Sequence, residues 1–208
     1  MIRIRITFSK TGALKYIGNL DLHTIWERAT RRAGLPLAYT HGFHPQPKMN
    51  LASALPLGFS SRCEVIDMRL NEDIDLADLQ TRLQPAMPSG IGILKVEVVD
   101  ERAPALQTQV LAAEYEVTLK ESADSPGLKR KMDELLASES LPRQRRGKQY
   151  DLHPLIENLE MVSEHKILMR LAAREGATGR PEEVLDVLGI AIENAQVERT
   201  NLVFKDSA

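Results

Sequence analysis

Ten residues, Tyr39-Thr-His-Gly-Phe-His-Pro-Gln-Pro-Lys48, hold two histidines, two prolines, a glycine and a lysine. Proline fixes its own φ and stiffens the chain around it. A stiff loop on a folded scaffold is a good mount for binding side chains. His41 and His44 can donate hydrogen bonds to phosphate, and Lys48 adds a positive charge. The plainer reading has Phe43 anchoring the loop on the core while the histidines cap backbone groups. Both readings stand at this stage, because a short motif alone is only a hypothesis.

Two further groups carry charge in a pattern. Arg28, Arg31 and Arg32 follow one another along a helical stretch, with Lys15 not far upstream. Arginine suits phosphate because its planar fork bonds two oxygens at once. The alternative is a solvated helix face, with Glu27 and Arg31 paired at i, i+4. Farther on, Arg143, Arg145, Arg146 and Lys148 place four cations within six residues, beside Tyr150. Such a run can follow a phosphate backbone or simply keep a loop soluble. Asp151 and His153 come next and could form an acid–base pair.

Other chemistries are harder to support. His41 and His44 are spaced i, i+3 on a loop, and no H-E-x-x-H, C-x-x-C or Asp-rich loop accompanies them, so no metal site is expected. No Walker loop is present, and no G-x-G-x-x-G follows a strand. Pro88-Ser-Gly-Ile-Gly92 reads as a turn. The single cysteine, Cys63, can form neither an internal disulfide nor a cluster site, which suits a reducing compartment. With no signal-peptide core and no apolar run of membrane length, a cytoplasmic protein without membrane contact is expected. No cofactor is expected either. Twenty-seven basic side chains against 29 acidic ones give a net charge of -2, so any anion site must be a local patch.

The elements that would carry these groups are legible in the periodicity. Ile2, Ile4, Ile6 and Phe8 alternate with polar residues and predict a half-buried strand. Leu22, Ile25, Trp26, Ala29 and Ala33 make a helical stripe over about 20–33, with Asn19 as N-cap and Gly34 as stop. Weaker alternation predicts strands at 50–55 and 64–70, a short helix at 75–83, and a strand at 93–99. The second half repeats the order with a strand at 115–120, a helix at 127–136, strands at 159–162 and 166–173, a helix at 181–188 and a strand at 196–204. The β-α-β-β-α-β order, twice, predicts an α+β fold of two ferredoxin-like (split βαβ) halves in tandem. The first half spans 1–100, a linker 101–113, and the second half 114–208.

One family shares these motifs in order. Leu14-Lys-Tyr-Ile17, Leu20-Asp-Leu22, Glu27-Arg-Ala29, Arg31-Arg-Ala-Gly-Leu-Pro36, Gly42-Phe-His-Pro45 with Pro47-Lys48, and Leu55-Pro-Leu-Gly58 with Ser61 and Glu64 resemble the radical-SAM-linked protein family, a domain of unknown function. Asp151-Leu-His-Pro154 and Arg180-Pro-Glu-Glu-Val-Leu185 fit it as well. The resemblance implies a radical SAM protein as partner, often one with a cobalamin-binding region. It implies no activity for this chain, which lacks the three-cysteine motif of the radical enzyme itself. The family usually has a histidine where this chain has Asn19. A capping role survives that change and a catalytic one does not.

Three functions follow. The first is an accessory binding module rather than an enzyme, presenting RNA or another anionic substrate through Lys15, Arg28, Arg31, Arg32, His41, His44, Lys48 and the 143–148 cluster. An RNA-recognition sheet is disfavoured, because Glu64 to Leu70 offers no aromatic for base stacking. The second is a metal-independent endoribonuclease, with His41 or His44 as acid or base and Arg28 or Lys48 steadying the phosphorane. The third is a structural protein–protein module.

Overall fold

The computed structural model describes residues 1–122, 125–145 and 147–205. It is a mixed α+β structure with antiparallel sheets, and it divides into two compact units, Met1–Gln109 and Val110–Ala208.

The first unit is organised around β1 (Ile2–Lys10). Alternation puts Ile4, Ile6 and Phe8 on one face, where none is exposed. Helix α1 (Asn19–Arg32) covers that face with Leu22, Trp26 and Ala29. The Phe8 and Trp26 rings meet edge-on, with centroids 4.7 Å apart and planes at 64°, a geometry worth about 1 kcal/mol beyond area burial. The N-cap falls on Gly18, which has the extended backbone of a capping residue, so Asn19 becomes the first helical residue and caps nothing. Asp21 in the first turn instead offsets the exposed N–H groups. The helix stops at Gly34, whose φ of 65° is left-handed.

Strand β2 (Met49–Leu51) is shorter than expected, because the chain bends at Ala52-Ser53. Strand β3 (Ser60–Leu70) leads to α2 (Leu76–Leu83), where the Asp75 carboxylate accepts from the N–H groups of Ala77 and Asp78. Strand β4 (Ile91–Val99) follows a turn at Gly90. A Cβ there would meet the Thr11 carbonyl oxygen at 2.6 Å, so the turn needs glycine. The sheet order is β4-β1-β3-β2, antiparallel throughout. The expected linker at 101–113 is only partly irregular. A short helix α3 (Leu106–Gln109) ends it, and Val110 to Ala113 already belong to a strand of the second unit.

The opposite face of β1 carries Arg3 and Arg5, and Arg3 is buried. Asp67 of β3 answers both. Its carboxylate takes Arg3 Nη2 at 2.7 Å and Arg5 Nε at 2.8 Å. Arg3 also donates to the carbonyls of Ala103 and Pro104 at 2.7 and 2.9 Å, which straps the chain after β4 against the sheet.

The second unit holds β5 (Val110–Leu119), α4 (Ser125–Ala137), a hairpin of β6 (Pro142–Arg145) and β7 (Lys148–Asp151), β8 (Ile156–Ser163), β9 (Lys166–Arg174), a two-residue β10 (Ala177–Thr178), α5 (Pro181–Leu188) and β11 (Ala195–Phe204). Within this unit the order is β11-β5-β9-β8, again antiparallel, and β10 pairs with the end of β9. Leu128, Met132, Leu135, Val184, Leu185 and Leu188 are buried helix residues, and Val117, Ile167, Met169 and Val197 are buried strand residues. Among the described residues no helix is long and apolar enough to cross a membrane.

Substituting Asp67→Ala leaves two guanidinium groups without their shared carboxylate, one of them buried. The expected loss is about 3–5 kcal/mol in urea unfolding. A loss under about 1 kcal/mol would show that the cluster is not a stabilising contact.

Candidate functional site

The His-Pro segment forms a closed loop at the β2 side of the first unit. Ala38 N–H donates to the Arg69 carbonyl and Lys48 N–H to the Ala38 carbonyl, both at 2.8 Å. Tyr39 pairs with Pro47. Thr40 N–H donates to the Gln46 carbonyl at 2.8 Å, and Gln46 N–H returns to Thr40 Oγ1 at 2.9 Å. Residues 41–45 thus sit above a stem that the backbone holds. Gly42, at φ 127°, makes the bend.

The aromatic anchor of this loop is Tyr39, not Phe43. Tyr39 is half-buried, and its hydroxyl donates to Glu27 Oε1 at 3.1 Å. Burial raises the phenol pKa above its usual value; the hydrogen bond to Glu27 and that carboxylate's charge add to the rise, and Arg31 opposes it. The phenol therefore stays protonated and keeps its donor. Phe43 is fully exposed, at 102%. It cannot be fixing the loop to the core, and the anchor reading of Phe43 is overturned. His41, Gly42 and His44 are exposed beside it. Glu27, read as an ion-pair partner for Arg31, is used by Tyr39.

The structure sorts the predicted basic residues. Arg31 lies close enough to Tyr39 to act on its phenol, and Lys48 leaves the stem of the loop. Arg28, one turn up α1, is exposed, as is Arg31. His41, His44 and Lys48 therefore lie on or at the end of the loop, Arg31 acts on Tyr39 at its base, and Arg28 is exposed on the same helix. Arg32 does not join them; its Nη1 donates to the Ala86 carbonyl at 3.0 Å, on the α2 side. Lys15 also stands apart. Its carbonyl accepts from Gly58 N–H, and its ammonium lies 5.0 Å from the centre of the Tyr16 ring. His23 was not singled out in the sequence. Its Nε2 lies 3.3 Å from the Met49 carbonyl oxygen, tying α1 to β2.

In the second unit Arg143 and Arg145 of the basic run are bonded within their own unit. Arg145 Nη2 meets Glu183 Oε2 at 2.5 Å and the Tyr150 hydroxyl at 3.0 Å, and the guanidinium lies 4.8 Å from the centre of the Tyr150 ring. Arg143 Nη2 meets Asp186 Oδ2 at 3.2 Å. Both carboxylates come from α5, so the hairpin is clipped to that helix. Lys148 is exposed on β7. Arg146 lies outside the described residues. Asp151 does not orient the His153 ring. Its Oδ1 accepts from the backbone N–H groups of Leu141 at 2.8 Å and His153 at 3.0 Å, and His153 Nε2 lies 3.3 Å from the Leu136 carbonyl. The expected acid–base pair is a backbone cap. Two hollows of about 640 Å³ each also lie in this unit, one by Glu114, Glu157 and Arg170 and one by Met132, Leu136 and Met161. None of the predicted basic residues lines either.

The two backbone bonds, that from Leu141 first, hold the Asp151 carboxyl below its ordinary pKa. A carboxyl with a depressed folded value contributes stability above the unfolded value, about 3.9, and loses it as the pH falls through the lower folded value. Asp151→Asn is therefore expected to unfold at lower urea than the parent protein at neutral pH, with the gap closing as the pH falls below about 4. A gap that stays constant with pH would contradict this.

A comparison with curated proteins finds no match. Among solved structures, the chain is similar to one in the crystal structure of a Cbf5-Nop10-Gar1 complex, at 11% identity and a TM-score of 0.48, covering 98% of this chain and 50% of that one. It is also similar to one in the archaeal box H/ACA sRNP Nop10-Cbf5 complex, at 12% identity and a TM-score of 0.44, covering 98% and 49%. This chain spans about half the length of both. Residues 3–181, most of the chain, match the model of a family described as an uncharacterized protein conserved in bacteria (DUF2344), and the protein belongs to that family.

Proposed function

We propose that this protein is an accessory binding module of a radical SAM protein, built from two ferredoxin-like halves, that presents RNA or another anionic substrate through the His-Pro loop and the adjoining face of α1. The observation that carries the reading is the presence of His41, His44 and Lys48 on one closed loop whose Tyr39 stem feels the charge of Arg31, with Arg28 exposed on the same helix. His41 and His44 are exposed and Lys48 is half-buried, at the end of a stem fixed by backbone bonds. Such preorganisation lowers the entropy cost of holding a ligand.

The strand orders support the halves. In β4-β1-β3-β2 and in β11-β5-β9-β8, each helix-containing crossover links two strands separated by a third, which is the split βαβ path. Fold alone does not give function. The radical SAM partner rests on the ordered motifs from Leu14 to Glu64. The anion-binding part rests on the charges that remain uncommitted: Arg28 and Arg31 are exposed on α1, whereas Arg32, Arg143 and Arg145 serve the fold.

The test is purification of the tagged protein from its native host, with and without ribonuclease. Retention of a radical SAM protein after ribonuclease is expected. Its absence, or its loss once RNA is digested, would end the direct partnership. For the anion surface, the double substitution Arg28→Glu, Arg31→Glu is expected to weaken RNA binding roughly tenfold at low salt and to flatten the salt dependence. Arg145→Gln is expected to lower stability and leave the salt slope unchanged. Equal effects of both variants on the slope would remove α1 from the site.

A further inference from the structure

We infer that Phe43 is a stacking platform for an unpaired nucleobase, so that the ligand of the loop is single-stranded nucleic acid. This rests on the proposed anion-binding role of the same loop and names its substrate class.

The ring is the most exposed large apolar side chain among the described residues. It sits at the apex of the loop, with Gly42 on one side and His44 on the other. The stem below it is closed twice by backbone contact, at Tyr39–Pro47 and at Thr40–Gln46, and Tyr39 ties it to α1 through Glu27. The loop therefore holds its shape without Phe43, and the ring is free to serve a ligand. Hydrophobic burial elsewhere in the unit goes to Phe8 and Trp26, neither of them exposed.

The neighbours of the ring select among occupants. An aromatic anchor for a protein partner is commonly ringed by further apolar contacts that exclude water. Around Phe43, the exposed residues are Thr40, His41, Gly42, His44, Pro45 and Gln46, mostly polar. Arg31 and Lys48 stand near the stem. A single π face among hydrogen-bond donors and cations matches a base with phosphates on either side of it. Duplex fits poorly, because its bases are already stacked on one another and expose only edges.

Tyr16, the other exposed aromatic of this unit, has the Lys15 ammonium 5.0 Å from its ring centre, and the sheet offers no open platform at Arg3. On the sheet face away from α1, Arg3 and Asp67 are buried and joined to each other, and Arg3 is also bonded to the carbonyls of Ala103 and Pro104. Phe43 is the aromatic of this unit with a fully exposed ring.

The test compares the parent protein, Phe43→Ala and Phe43→Trp on a single-stranded oligoadenylate of about ten nucleotides and on an RNA duplex of the same length. Phe43→Ala is expected to weaken the single strand roughly tenfold or more with an unchanged salt slope, because stacking carries no charge. Phe43→Trp is expected to restore affinity, and the added indole fluorescence to fall on binding. Urea unfolding should be the same for all three proteins, since the ring touches no core. If Phe43→Ala binds the single strand as well as the parent does, while Arg28→Glu, Arg31→Glu still weakens it, the stacking inference is overturned and the anion-binding role stands. If the parent binds neither oligonucleotide, the stacking inference is overturned and the RNA form of the proposed function falls with it. If Phe43→Ala keeps its RNA affinity but loses a co-purifying radical SAM protein, Phe43 is a protein anchor and the inference is likewise overturned.

Discussion

The register of the first unit's sheet depends on neutralising two arginines on the central strand. β1 is flanked on both sides, so its alternation delivers Ile4, Ile6 and Phe8 to α1 and sends Arg3 and Arg5 to the other face. Asp67 meets that need from β3, directly opposite Arg5 in the strand register. A slip of one residue would turn every β3 side chain to the wrong face and leave Arg3 buried without its carboxylate. With β3 fixed, Met49 can pair only beside Met68, and β2 lies where His23 reaches the Met49 carbonyl. The ends of the His-Pro loop are then close together, and closing it costs little. The loop is held to β3 by the backbone bonds from Ala38 N–H to the Arg69 carbonyl and from Arg69 N–H to the Lys48 carbonyl.

The arginines of this protein divide by the company they keep. Arg3, Arg5, Arg32, Arg143 and Arg145 are bonded to carboxylates or carbonyls and work as fasteners between elements. Their planar forks suit that role as well as they suit phosphate. Arg145 shows the competition: burial pushes its pKa down, and the hydrogen bond to Glu183 and that carboxylate's charge more than restore it. Arg28 and Arg31 are left facing water on α1. A net charge near zero is compatible with a local anion site, because Arg3, Arg5, Arg143 and Arg145 are paired with carboxylates while Arg28 and Arg31 are exposed.

Much of this was legible from the sequence, and the rest was not, for a physical reason. Ile2 to Phe8 and the Leu22–Trp26–Ala29 stripe are periodic patterns, and periodicity depends only on neighbours along the chain. The Asp75 cap is local too. Which aromatic anchors the loop is a different kind of question. Tyr39 and Phe43 bracket the same glycine, and either could have turned inward. The choice depends on Glu27, which approaches from α1, and on the backbone closure at Gln46. The same holds for the 143–148 run, whose partners Glu183 and Asp186 come from a helix almost forty residues on. The acid–base reading of Asp151 and His153 failed likewise, since two amides, from Leu141 and from His153 itself, claimed the carboxylate first.

The account stands on the claim that the loop at 40–46, and not the basic hairpin at 142–151, meets the ligand. Ultraviolet cross-linking of the protein to single-stranded RNA, followed by mass spectrometry of the joined peptides, tests it most directly. The expected result is a cross-link on the segment containing His41, Phe43 and His44, with little on Arg143 to Tyr150. Cross-links concentrated on the hairpin, with the loop unlabelled, would contradict the account.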